Sequence, residues 1–119
     1  MAKFLFLMRP EGTVFDAMKP EDFKKLFDNF VAWSESLKTR GVLVGVERLT
    51  PDGGHVVRKK RDQVVVDGPY AEMKEVVSGL FIVEAANDGE AHRIAGECPL
   101  LDVGGAVEVR GIDSFPIRP

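Results

Sequence analysis

A chain of 119 residues, 45% hydrophobic and 29% charged, has the composition of one ordinarily packed domain running over residues 1–119. Its net charge of −3 offers no overall positive field to phosphate backbones or anionic membranes, so neither nucleic acid nor a membrane is expected as a partner. One cysteine, Cys98, excludes an internal disulfide and favours the cytoplasm, and the apolar stretch within Met1 to Met8 is too short to span a bilayer and lacks a signal-peptide cleavage pattern.

Phe4-Leu5-Phe6-Leu7-Met8 is an uncharged run that stops at Arg9-Pro10, as suits a strand covered on both faces. From Pro20 the period changes. Phe23, Leu26, Phe27, Phe30, Trp33 and Leu37 fall three or four apart, which predicts a helix with one buried stripe. Pro20 suits its first position, Glu21 and Asp22 the positive end of its dipole, and Gly41 its exit.

Val42 to Leu49 reads as a strand, ended by the turn signal Thr50-Pro51-Asp52-Gly53-Gly54. His55 to Lys59 and Gln63 to Asp67 then form a hairpin around the charged tip Lys59-Lys60-Arg61-Asp62. Leu80 to Val83 is a second uncharged run and another strand covered on both sides. Asn87 and Glu90 have capping-box spacing, followed by the apolar stripe Ala91, Ile94, Ala95 and Cys98 and closure at Pro99. The last strand, about Ala106 to Ile112, alternates, with Val107 and Val109 facing one way and Glu108 and Arg110 the other.

The order β-α-β-(hairpin)-β-α-β predicts an α+β fold of the ferredoxin-like, split-βαβ kind with an extra β-hairpin, the two uncharged runs being its central strands. Two helices cover only one face of such a sheet. A symmetric dimer, sheet against sheet, is expected to cover the other.

The segments Asp67-Gly68-Pro69-Tyr70-Ala71-Glu72-Met73-Lys74-Glu75, Ser78 to Ala85, Glu97-Cys98-Pro99 and Val107-Glu108-Val109-Arg110 together resemble the YCII-related proteins of the DGPF type over nearly the whole chain. Tyr70 stands where the motif that names the type has Phe. The resemblance implies a dimeric α/β barrel with a cleft near the dimer interface, and no settled activity. Some relatives resemble small dehydrochlorinase-type enzymes relying on a His and Asp pair; Asn29 stands where that branch carries its His, and asparagine does not take up a proton at neutral pH. Other members are described as accessory to transcription initiation through alternative sigma factors.

Asp67 ends a strand before Gly68-Pro69 and either hydrogen-bonds its own turn or serves as ligand contact or general base. Glu72 and Lys74 follow on the same segment, as solvated loop charges or as partners of Asp67 and an anionic substrate. Arg9 and Glu47, near strand ends, either line the cleft or form a peripheral ion pair. Glu84 and Arg110 are expected to pair across strands. His55 and His92 read as surface histidines without metal-ligand spacing, and Cys98 as a buried apolar thiol. Arg58 to Arg61 reads as a solubilising hairpin tip, and the aromatic residues of the first helix as core.

The expectation is a small polar or aromatic metabolite bound in a cleft lined by Arg9, Glu47, Asp67, Tyr70, Glu72 and Lys74, without cofactor or metal. Any turnover there is lyase or hydrolase chemistry by carboxylates, Asp67 first among them. The alternatives are a non-catalytic accessory with a sigma-factor partner and a metabolite sensor.

Overall fold

The structure is a computed structural model, which describes residues 1–11, 15–51, 53–68 and 77–113. Its elements run β1 (Ala2–Arg9), α1 (Pro20–Thr39), β2 (Leu43–Arg48), β3 (Val56–Lys60), β4 (Gln63–Asp67), β5 (Gly79–Ala85), α2 (Asp88–Ala95), a 3-10 turn (Pro99–Val103) and β6 (Ala106–Gly111). The main sheet has the order β2-β5-β1-β6 with antiparallel neighbours, and β3 and β4 pair with each other in a separate two-stranded sheet. Both uncharged runs are central, as expected, and this strand order is compatible with a ferredoxin-like fold.

One face of the sheet is closed by both helices. Phe4, Phe6 and Met8 of β1 and Phe81, Val83 and Ala85 of β5 point into a core completed by Trp33 and Leu37 of α1, Ala91, Ile94 and Ala95 of α2, and Cys98 and Leu100. Trp33 and Phe81 stack in a tilted pair with ring centroids 4.6 Å apart. Val107 and Val109 join the same core, so the alternation of β6 was read correctly.

Local signals explain the helix ends. Gly41 takes a left-handed φ of 74°, its N–H donating to Lys38 O and that of Val42 to Leu37 O, the two bonds of a Schellman stop. Asn87 Oδ1 accepts the Glu90 N–H at 2.9 Å at the start of α2. Pro99 opens the 3-10 turn.

The runs in β1 and β5 are buried on the helix side, while Leu5, Leu7, Leu80 and Ile82, on the face expected to meet a second copy, are half-buried in the single chain. Two expectations need correction. Phe23 and Phe27 lie outside the buried stripe of α1, which consists of Leu26, Trp33 and Leu37 with Phe30 beside it, because they fall on the flank of the helix, where Phe23 packs edge-on against Phe15 and Phe27 lies beside the Arg48 guanidinium. Arg110 pairs with Glu108 on its own strand, two residues away, and Glu84 stands opposite Lys3 instead.

Candidate functional site

Strand register converts alternation into a second, differently built face. Because paired residues point to the same side, the face away from the helices carries Leu5, Leu7 and Arg9 from β1, Leu80, Ile82 and Glu84 from β5, Glu47 from β2, and Ala106, Glu108 and Arg110 from β6. One rung runs Glu47, Leu80, Leu7, Glu108 from edge to edge; the next runs Gly45, Ile82, Leu5, Arg110. The result is an apolar floor of four aliphatic side chains between polar margins. Among the described residues no helix lies against it.

At the β6 margin the charges converge. Arg9 Nη1 donates to Glu108 Oε1 at 2.8 Å, and Arg110 Nη1 donates to Glu108 Oε2 at 3.3 Å. Two guanidinium groups therefore share one carboxylate beside the leucines. The side chains of Arg9 and Glu108 are 28% and 32% exposed, enough for a ligand to reach them.

The residues expected to form one site are distributed over two sheets. Arg9 and Glu47 share the open face but lie on adjacent rungs and two strand spacings apart, about 10 Å, so they do not pair. Asp67 ends β4 in the separate hairpin, where one carboxylate oxygen lies 3.8 Å from Arg58 Nε. Gly68 after it has a φ of 104°, a conformation that favours glycine. Tyr70, Glu72 and Lys74 lie outside the described residues. Asn29 is exposed on α1, as are His55 after the turn and His92 on α2. No group of metal-ligating side chains occurs among the described residues.

Glu108 is the residue that sequence reasoning undervalued. Its signal was present, since the period of two in β1 puts Arg9 with Leu5 and Leu7, and that in β6 puts Glu108 with Arg110; what joins the two sets is the β1–β6 register.

Two further polar features are structural. Glu97 accepts from Arg40 at 2.8 and 3.3 Å and from Trp33 Nε1 at 3.2 Å, fastening the end of α1 to the segment after α2. The Arg40 hydrogen bond holds the Glu97 carboxyl below its ordinary value against the opposing effect of burial. Cys98 Sγ lies 3.4 Å from Met8 Sδ in the core, and burial pushes its thiol up to about 11.

The profile of the YCII-related domain matches residues 2–116, all but the chain's extremities. The chain belongs to the YCII-related family. No curated protein matches this YCII-related chain. Among solved structures, it is similar to 5-chloro-2-hydroxyhydroquinone dehydrochlorinase from Burkholderia phenoliruptrix, solved in complex with 2,5-dihydroxybenzoquinone, with a TM-score of 0.54 and 14% identity over 97% of this chain and 96% of that one. At that identity the likeness concerns the fold. No helix among the described residues is long and apolar enough to cross a membrane.

Proposed function

We propose that this YCII-related protein binds a small, acidic, ring-sized metabolite over the open face of its main sheet, in a cleft closed by a second copy of the chain. The observation that carries the reading is the cluster of Arg9, Glu108 and Arg110 beside the floor of Leu5, Leu7, Leu80 and Ile82. A flat ring fits an aliphatic floor, and an ionised hydroxyl or carboxylate matches the donor fork of a guanidinium group. The similar fold of a dehydrochlorinase that holds a dihydroxybenzoquinone supports this ligand class by analogy.

The second copy follows from physical chemistry. A half-buried aliphatic quartet in the middle of a sheet is an unfinished interface, and a two-fold axis covers it with the same quartet. The reading assigns binding and no reaction: Glu47, Glu84 and Glu108 are the carboxylates on the face among the described residues, and Glu108 is held by two arginines. Asp67 enters the site only if the hairpin of one copy reaches the cleft of the other.

A thermal-shift screen with hydroxybenzoates, dihydroxybenzoquinone and aliphatic carboxylates tests this. A ring acid that raises the melting temperature of the wild type and not of Arg9→Met supports the site. Stabilisation that survives Arg9→Met and Arg110→Met together sinks it, and recovery of a sigma factor with no response to any acid favours the accessory role.

A further inference from the structure

Gly45 in β2 is a glycine that the described chain does not require. Its φ lies outside the left-handed region that calls for glycine at Gly41 and Gly54. A Cβ built on it meets nothing within 4 Å among the described residues, whereas one on Gly79 falls 2.9 Å from Glu47 O. The register shift between Leu43 and Gly45 does not demand it either, because the bulge type that calls for glycine holds it left-handed. A glycine inside a strand weakens the strand, and it marks a place where a ligand or another backbone comes close.

The register places this gap on the open face. Gly45 stands opposite Ile82, Ile82 opposite Leu5 and Leu5 opposite Arg110, so one rung crosses the sheet from a missing side chain to a guanidinium. Three strand spacings separate its ends, about 14 Å. Glu47, two residues on, shares this face and is exposed, so the gap has a carboxylate at its side. The face therefore has two unlike ends: two guanidinium groups at the β6 margin, and at the β2 margin a notch bordered by an acceptor.

We infer that the Gly45 notch receives the far end of the bound ligand and selects ring acids that carry a hydroxyl opposite the acid group, with Glu47 accepting from that hydroxyl. The inference rests on the binding site proposed above and adds the direction in which the ligand lies: across the strands, acid group toward Arg9 and Arg110, hydroxyl toward Gly45. A ring acid without the hydroxyl reaches the guanidinium groups and the aliphatic floor but leaves the notch empty. A side chain at position 45 stands between the ring and Glu47, which gives the chain a reason to keep glycine in a strand where valine or threonine holds a sheet better.

Calorimetry with 4-hydroxybenzoate and benzoate tests this. The wild type is expected to bind 4-hydroxybenzoate about tenfold tighter or more, as a hydrogen bond to a charged acceptor contributes. Gly45→Val and Glu47→Ala are each expected to bring that ratio to about one. Valine at position 45 enters open space in an ordinary backbone conformation, so the urea midpoint of Gly45→Val is expected at or above that of the wild type. A ratio that survives either substitution, or a wild type that binds both acids equally, overturns the notch and leaves the guanidinium site standing. A lower urea midpoint, or weaker self-association of Gly45→Val on sedimentation, assigns the gap to packing within the chain or against a second copy and likewise overturns the notch. Binding of neither acid overturns the site and the notch together.

Discussion

Arg9 of β1 and Glu108 of β6 meet at 2.8 Å although 99 residues separate them, and the contact forms because both sit on the open face one register step apart. Both side chains are only partly covered, so the pair contributes less than about 1 kcal/mol to folding. Its weight lies in the electrostatics of the face. Glu108→Gln removes the internal carboxylate that competes with a bound anion, and the thermal shift produced by a ring acid is expected to grow while the ligand-free urea midpoint barely moves.

Glu97 links stability to pH. Its carboxyl titrates lower in the folded chain than its ordinary 4.5, so its contribution is present above that value and is lost as pH falls through the lower, folded one. The side chain is 39% exposed, which limits the effect to below about 1 kcal/mol. Glu97→Gln is expected to flatten the acid end of a stability profile measured by urea unfolding between neutral and strongly acidic pH. Glu97→Ala costs more at neutral pH because the Trp33 N–H also loses its acceptor.

Cys98 is a test of core closure. Fully buried and with its thiol raised to about 11, it is expected to ignore a disulfide reagent in the native protein at neutral pH and to react once in urea. Native-state reaction at the rate of a free thiol contradicts this packing.

The hairpin tip carries local strain. Arg61 and Asp62 both have positive φ, 51° and 65°, at the two central positions of a turn joining Lys60 to Gln63. That turn favours Asn-Gly, so Arg61→Asn/Asp62→Gly is expected to stabilise the hairpin by about 1 kcal/mol, read as slower amide exchange in β3 and β4.

Gly79 admits no side chain. A Cβ there falls 2.9 Å from Glu47 O in the neighbouring strand, so Gly79→Ala must displace β2 from β5. A loss of about 1–3 kcal/mol in a denaturation curve is expected.

Periodicity determined much of this protein. The helix from Pro20, the capped helix after Asn87, the hairpin and the two uncharged central strands follow from spacing, caps and turns, which act over a few neighbouring residues. Family membership was legible in the motifs from Asp67 to Arg110. Tertiary structure decided what spacing cannot express. Phe23 and Phe27 satisfy the helical period but stay partly exposed on the flank of α1, because the sheet takes only one stripe of the helix. Arg9 meets Glu108 instead of Glu47, and Asp67 stands in the separate hairpin beside Arg58, because antiparallel register, a long-range property, sets which charges become neighbours.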